Sequence, residues 1–314
     1  MVIHGWVGGM AGYIRKSDGN ISNCNNYGAV TGDNTIGGIV GYPNDISGIY
    51  NCTNSGTITA TRDAGGIAAF TWFPIEKCIN SGEVHSNLRT GGITGESIQG
   101  TDGKEPIILE CYNTGKIIGM ELTGGISGIL CYFSTDNPEI DGPKIENSHN
   151  SGDVFGNMMT GGITGNIQPK TEILGCSNIG NISGTSELGG IAGMFSEIDN
   201  IKNSRIEDSY NSGNIAGVSK IGGICGYLHG TSGKATIKQC YNRGIINGTE
   251  KIGEIIGIEE NETNLNALSK LYYLRNSRGL NAIGGKADNE STTVQIMGIE
   301  NDFSYEEFKA SLNS

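Results

Sequence analysis

Eight copies of one short motif run through most of the chain, and this repeat constrains the fold more than any other feature. Each copy has isoleucine three residues before a Cys or Ser, asparagine two residues after it and glycine four residues after it. That Cys or Ser is taken as the origin of each unit; the origins are Cys24, Cys52, Cys78, Cys111, Ser148, Cys176, Ser209 and Cys240. A unit this short cannot bury an apolar face alone, so the units must stack on one another.

Each unit has a constant part and a variable part. The constant part runs from the origin to a glycine seventeen residues later, as in 24–41, and contains Gly-Gly before an isoleucine in seven of the eight units. All variation in length falls between that final glycine (Ala69 in one unit) and the next isoleucine. A constant core turn followed by a variable surface loop explains this pattern, and it places every loop at the same corner of the unit.

The apolar columns of the repeat favour strands over helices. They are filled by Ile and Val, whose branched side chains suit a pleated surface. Three strand segments are predicted in each unit: Ile-x-x-Cys-x-Asn, Gly-x-Val/Ile-x-Gly and Gly-Gly-Ile-x-Gly. The predicted fold is all-β, a three-sided parallel β-helix with right-handed winding, in which the aligned asparagines form a hydrogen-bonded ladder along the stack.

The repeat also predicts the domain organisation. Residues 1–258 are predicted to form the β-solenoid, with eight full coils after a partial first coil, because 5–13 matches the later 35–42 segment. Residues 259–314 are predicted to form a C-terminal cap, with a last strand at 271–274 and a helix at about 304–312. Ser304 and Glu307 have capping-box spacing, and Phe303 and Phe308 that of a hydrophobic staple. Since no cap precedes the half coil, we expect the chain to be a fragment of a longer surface protein or to begin after a removed leader.

Charge excludes some partners. The formal net charge is −12, so the chain is expected to repel nucleic acid and anionic lipid. No apolar run is long enough to span a membrane.

Fifty-two glycines against six prolines suit many tight turns, but glycine does not recur every third residue, which excludes collagen.

The repeat resembles the GLUG repeat of bacterial cell-surface, adhesin-like proteins. Its clearest copy is 111–119 followed by 123–128, which read Cys-Tyr-Asn-Thr-Gly-Lys-Ile-Ile-Gly and Thr-Gly-Gly-Ile-Ser-Gly. The tail is also similar to the family's usual ending, at 272–274, 283–285 and 308–313. The resemblance implies a secreted or cell-surface protein, although neither leader nor anchor is visible in this chain. The same repeat accompanies zinc-dependent immunoglobulin A1 proteases, but their His-Glu-x-x-His motif is absent here, so no protease activity is implied.

No catalytic, cofactor-binding or metal-binding residue is predicted, and the protein is expected not to be an enzyme. Histidines fall in different columns, which disfavours a shared metal site and predicts solvent-facing side chains; they are His4, His85, His149 and His229. Six of the eight cysteines share the origin column, where nearly parallel Cβ directions suit a disulfide poorly. Free, buried thiols are therefore predicted, with Cys131, in a variable loop, as the candidate reactive thiol.

The variable loops are the candidate binding surface. Aligned at one corner, they are predicted to form a ridge that contacts host glycan or an extracellular protein; ordinary solvated loops are the alternative. The longest loop is predicted at 129–144, and 96–107 and 194–205 are its neighbours. The aromatic and acidic residues assigned to these loops are Trp72, Phe73, Tyr132, Phe133, Asp136, Glu139 and Asp141.

Two functions from different classes remain. The leading hypothesis is a non-enzymatic surface module, a stalk, scaffold or adhesin. The alternative is a carbohydrate-active enzyme, a polysaccharide lyase or hydrolase on a β-helix, which needs charged groups from adjacent coils in one groove. Glu121 and Glu187 are predicted to share an outward column without being adjacent. A row of Thr90, Thr123 and Thr160 is predicted to face inward, which disfavours an ice-binding face.

Overall fold

Parallel β-strands make up nearly all the regular structure of the computed structural model. The structure describes residues 5–15, 19–44, 46–99, 106–132, 142–196, 204–229, 235–260, 268–274, 279–285 and 296–299, together with residues 307 and 310. Every strand pairing within this part is parallel and joins one coil to the next, as Ile145 to Ile173. The predicted all-β parallel β-helix is confirmed, while its right-handed winding stays a prediction.

The strands lie in four sheets, numbered here in the order in which each coil meets them. Sheet 1 has seventeen strands because most coils contribute two: Asn20–Ser22, Asn25–Asn26, Gly48–Tyr50, Thr53–Asn54, Ile75–Glu76, Ile79–Asn80, Ile107–Leu109, Tyr112–Asn113, Lys144–Glu146, His149–Asn150, Glu172–Leu174, Ser177–Asn178, Arg205–Glu207, Tyr210–Asn211, Thr236–Asn242, Leu268–Leu274 and Ile296–Ile299. Sheet 2 has eight: Val30–Gly32, Ile58–Ala60, Val84–His85, Ile117–Ile118, Val154–Phe155, Ile182–Ser183, Ile215–Ala216 and Ile246–Asn247.

Sheets 3 and 4 are formed by the second half of each coil. Sheet 3 has nine strands: Trp6–Gly8, Thr35–Gly37, Asp63–Gly65, Arg89–Gly91, Thr123–Gly124, Met158–Gly161, Ser186–Gly189, Ser219–Gly222 and Glu250–Gly253. Sheet 4 also has nine: Ala11–Ile14, Val40–Pro43, Ala68–Thr71, Thr94–Ile98, Ser127–Cys131, Thr164–Ile167, Ala192–Ser196, Cys225–His229 and Ile256–Glu259.

Each coil is divided more finely than the three predicted segments. The predicted Ile-x-x-Cys-x-Asn strand is two short strands in most coils, because the residue before the origin has a positive φ, as at Asn23 (φ 55) and Lys77 (φ 54). A left-handed residue turns the chain and interrupts the ladder. The predicted Gly-Gly-Ile-x-Gly strand is a corner, with sheet 3 ending at its first glycine and sheet 4 beginning after its isoleucine.

Among the described residues, two large apolar clusters fill the interior of the coils. The larger lies between sheets 1 and 4 and contains the isoleucine columns and the origin cysteines, such as Ile145, Ile173 and Cys176, all fully buried. The smaller lies between sheets 2 and 3 and includes Ile36 and Ile58. Each buried Ile or Val stabilises the fold by about 2 kcal/mol, and the regular spacing lets each coil cover the next.

The asparagine ladder separates the two cores. Asn54 donates from Nδ2 to the carbonyl oxygen of Gly56 at 2.9 Å and to Oδ1 of Asn80 at 2.8 Å. The opposite corner approaches so closely that a methyl group on Gly38 would lie 2.6 Å from Cγ of Asn54. The same amide-to-amide bond joins every pair of successive coils from Asn26 to Asn242. The predicted ladder is confirmed.

Parallel stacking continues beyond residue 258. Leu268–Leu274 pairs with Thr236–Asn242 and confirms the strand predicted at 271–274. It is not the last strand, because Ile296–Ile299 pairs with it in turn. The domain boundary at 258 stays a prediction, and the helix predicted at about 304–312 lies outside the described residues except for positions 307 and 310. Among the described residues, no helix has the length and apolar character needed to cross a membrane.

Candidate functional site

The Gly-Gly corner sets two rows of outward side chains opposite each other. A methyl group at Gly37 would lie 1.9 Å from the carbonyl oxygen of Val40, so only glycine lets sheets 3 and 4 approach this closely. Across the corner, a side chain in sheet 3 meets the one seven residues later in sheet 4. Three pairs make this contact by different chemistry: Trp6 with Tyr13, Arg89 with Glu96 and Lys220 with Tyr227.

The first three turns of these rows carry the aromatic strip, formed by Trp6, Tyr13, Tyr42, Phe70 and Trp72. Ring centroids are 5.0 Å apart for Trp6 and Tyr13, 5.8 Å for Tyr13 and Tyr42, and 5.3 Å for Tyr42 and Phe70. All three pairs are stacked, and Trp72 meets Tyr42 and Phe70 edge to face. Stacking at coil spacing makes a continuous aromatic surface along the outside of the solenoid.

This surface is accessible to solvent. Trp6 is 47% exposed and Tyr13 is 42% exposed, which is high for large rings. Tyr42, Phe70 and Trp72 are half-buried. Burial, with the neighbouring Tyr13 hydroxyl as a smaller cause, raises the pKa of Tyr42, so its hydroxyl remains a hydrogen-bond donor at neutral pH.

The ion cluster of Asp63, Arg89 and Glu96 follows the aromatic strip. Nε of Arg89 lies 3.0 Å from Oδ1 of Asp63, and Nη1 of Arg89 contacts the carboxylate of Glu96. Both carboxylates are buried, at 6% and 2% exposure. Burial raises the pKa of Asp63, and Arg89 opposes that shift. The Arg89 guanidinium, with Arg62 as a smaller contributor, therefore favours the ionised form of Asp63 against its burial.

A tyrosine–histidine cluster occupies the same rows nearer the C-terminus; its members are Glu187, Lys220, Tyr227, His229 and Glu260. Nζ of Lys220 lies 2.8 Å from Oε1 of Glu187 and 4.0 Å from the centre of the Tyr227 ring. The Tyr227 hydroxyl lies 3.1 Å from Nδ1 of His229, which also contacts Glu260. Burial and then the neighbouring Glu260 raise the pKa of Tyr227 to about 12.

No family model matches the chain. No curated protein matches it either. One solved structure is similar, described as "a putative immunoglobulin A1 protease from Bacteroides ovatus", with 18% sequence identity and a TM-score of 0.39 over 69% of this chain and 71% of that one.

The structure supports the position of the predicted corner ridge but not the predicted boundaries of its loops. Strands of sheet 4 end in register, and the following strands of sheet 1 begin in register, so the variable segments share one corner. The predicted loop boundaries are wrong: residues 129–131 belong to a sheet 4 strand, and Glu96 and Phe73 are buried. Tyr132 is also buried, with the Lys170 ammonium 4.3 Å from its ring centre. Phe133, Asp136, Glu139 and Asp141 lie outside the described residues.

Cysteine burial agrees with the sequence prediction except at Cys24 and Cys131. All eight cysteines are free, and seven are buried while Cys24 is half-buried. Cys131, predicted to be a reactive loop thiol, is instead 2% exposed at the end of a sheet 4 strand. Burial raises the pKa of its thiol to about 12. The prediction failed because the strand extends into the segment of variable length.

The histidines have individual surroundings. His85 is exposed, whereas His149 lies 2.7 Å from the Ser177 hydroxyl and packs on Tyr112. His229 belongs to the tyrosine–histidine cluster, and His4 lies outside the described residues. Within the described ranges, no three His, Cys, Asp or Glu side chains gather as a metal site would require.

Of two predicted columns of aligned residues, the threonine row is confirmed and the glutamate column is wrong. The threonine row is buried and in register, as predicted, and continues as Leu188. Glu121 and Glu187 do not share a column: strand register aligns Glu187 with Leu122, because Thr123 aligns with Thr160 and Thr160 with Leu188. Sequence reasoning missed the aromatic strip and the tyrosine–histidine cluster, although the seven-residue spacing of Trp6 and Tyr13 was a usable signal.

Proposed function

We propose that this protein is a non-enzymatic cell-surface module, an adhesin-like stalk or scaffold, that binds a ligand through the outer face of its solenoid. The aromatic strip is the observation that carries the proposal. Large exposed apolar patches usually mark binding surfaces, and five contacting rings, two of them more than 40% exposed, form such a patch on a stack of paired strands.

The resemblance to the GLUG repeat supports a bacterial protein that is secreted or displayed on the cell surface. The interior supports a scaffold role, since the fully paired strands and the asparagine ladder hold the outer rows in fixed register. A rigid support reduces the ordering cost of binding. Host glycan or an extracellular protein is the proposed partner, contacted by the aromatic strip and by the corner ridge.

An array of glycans and extracellular-matrix proteins, probed with the labelled chain, tests the binding proposal. We expect retained ligand, with loss in the Trp6→Ala and Tyr13→Ala variants and no change in Tyr27→Ala, a 77% exposed tyrosine outside the strip. A deletion of 133–141 tests the ridge separately and leaves the strand at 129–131 intact. An array without any retained ligand contradicts the binding proposal. Antibody labelling of intact and permeabilised source cells tests the surface location.

The tyrosine–histidine cluster favours the second candidate function, a polysaccharide lyase or hydrolase. Its acid–base side chains come from successive coils, as such an enzyme requires: a cation from Lys220, a tyrosine–histidine pair and the Glu260 carboxylate. Incubation with neutral and uronic-acid polysaccharides, followed by reducing-end and unsaturated-product assays, separates the two functions. Turnover that disappears in both Tyr227→Phe and His229→Ala would replace the leading proposal.

A further inference from the structure

We propose that the ligand of the aromatic strip is a neutral oligosaccharide. This inference rests on the proposed function, since it names the ligand class of the same surface. It follows from three features of the strip: its ring chemistry, the polar groups along its edge and the charge of the ion cluster beside it.

Ring chemistry matches the apolar face of a sugar. Aromatic rings carry partial negative charge on their faces, and the C–H groups on one side of a pyranose carry partial positive charge. Trp6 and Tyr13 are the most exposed rings and lie at one end of the stack. The remaining rings follow over the next two coils, a span of about 10 Å at the ~4.8 Å spacing of neighbouring strands. A short sugar chain lying along the solenoid axis meets rings throughout that length.

Polar groups on the strip match sugar hydroxyls. The Asn44 amide lies 3.4 Å from the Tyr13 hydroxyl, so an amide and a phenol meet at the exposed edge. Tyr42 adds another hydroxyl, whose pKa is raised by burial, and Trp6 adds an indole N–H. A sugar offers an apolar face bordered by hydroxyls, and amphipathic rings with polar tips complement both. A purely hydrocarbon ligand would cover these polar groups without offering them any hydrogen bond of its own.

Charge favours a neutral ligand over an acidic one. The ion cluster beside Phe70 sets two carboxylates against the guanidinium of Arg89, with the charge of Arg62 also acting on Asp63, so it presents no excess of positive charge to an acidic ligand. The whole chain carries −12. A uronate, a sulfated glycan or an anionic lipid headgroup would approach against this field. A neutral chain of hexoses or N-acetylhexosamines meets no such penalty.

Tryptophan fluorescence provides a local test. The chain has two tryptophans, and both Trp6 and Trp72 belong to the strip, so emission and acrylamide quenching report on this surface. The probes are cellohexaose, xylohexaose, mannohexaose and chitohexaose, with hexagalacturonate as the acidic comparison. We expect a saturable change in emission and reduced quenching with at least one neutral probe, and no saturable change with hexagalacturonate.

Substitutions on the aromatic strip test whether the probe binds there. Tyr13→Ala should weaken binding of the responding probe by about tenfold or more, since it removes an exposed stacking ring. Tyr13→Phe should retain most of the affinity, and Tyr27→Ala should match the parent chain. Trp6→Ala, assayed by calorimetry, should behave like Tyr13→Ala. Melting curves of all variants verify folding, which is expected to be preserved because Trp6 and Tyr13 are about half exposed.

Three results overturn the inference. One is the absence of a saturable response to any neutral probe, and the second is undiminished binding in both Tyr13→Ala and Trp6→Ala. The third is retention of an extracellular protein on the array, lost in those two variants, without sugar binding. That third result leaves the proposed binding function standing and removes only the ligand class.

Discussion

Replacing Asn113 by alanine should destabilise the protein strongly, because this side chain is a middle rung of the ladder. Its amide donates to the carbonyl oxygen of Gly115 at 2.8 Å and to Oδ1 of Asn150 at 2.7 Å, and its oxygen accepts from Nδ2 of Asn80 at 2.8 Å. Asn113 is 1% exposed, so water cannot replace these partners in place. Three bonds worth about 1 kcal/mol each, plus the cost of buried groups left unpaired, give a loss of about 3–5 kcal/mol.

Urea denaturation followed by far-ultraviolet circular dichroism measures this loss as a lower midpoint. Asn87→Ala is the matched control, since Asn87 is an exposed asparagine one coil earlier, and its effect should stay within about 0.5 kcal/mol. If Asn113→Ala and Asn87→Ala lower the free energy of unfolding equally, the asparagine ladder does not stabilise the stack.

Two further predictions concern charge and thiol chemistry. Arg89→Met should lower the free energy of unfolding by about 3–5 kcal/mol near pH 7, because it leaves two buried carboxylates unpaired. The loss should shrink on acidification to pH 4, since burial raises the pKa of Asp63 in the folded state and protonation removes its charge. The control Lys77→Met, which removes a cation from an exposed ion pair, should change the free energy of unfolding little at either pH. A loss in Arg89→Met that does not depend on pH would contradict the role given to Asp63. Iodoacetamide at pH 8 should alkylate half-buried Cys24 well before Cys131, whose pKa is raised to about 12. Peptide mass spectrometry measures the order in which the two thiols are alkylated. Faster labelling of Cys131 would show that the end of its strand opens to solvent.

The fold could be predicted because its core depends on repeated residue types. Isoleucine, the origin Cys or Ser and asparagine recur at fixed spacing, and their burial follows directly from that recurrence. The strand breaks could not be predicted in the same way. The left-handed residue before the origin is Asn23 in one coil and Lys77, Glu110 or Asp208 in others, so no common residue type marks the turn.

The candidate site was harder to predict than the core, for a physical reason. Outward rows are free to change chemistry from coil to coil, so the same two positions hold Trp6 and Tyr13 in one turn and Arg89 and Glu96 in another. A search for conserved columns within the repeat therefore finds the interior and passes over the surface. The relevant signal is complementarity between residues seven apart, which becomes interpretable only once the glycine corner is known.

Distances between spin labels test the central claim, that coils stack in register, most directly. Thr31, His85, Phe155 and Ala216 are exposed members of one sheet 2 column. In a Cys24→Ser background, Thr31–Phe155 and His85–Ala216 each span four strand spacings and should both give about 19 Å between backbones, while Thr31–Ala216 should give about 29 Å. Unequal distances for the first two pairs, or broad distributions for all three, would contradict the stack.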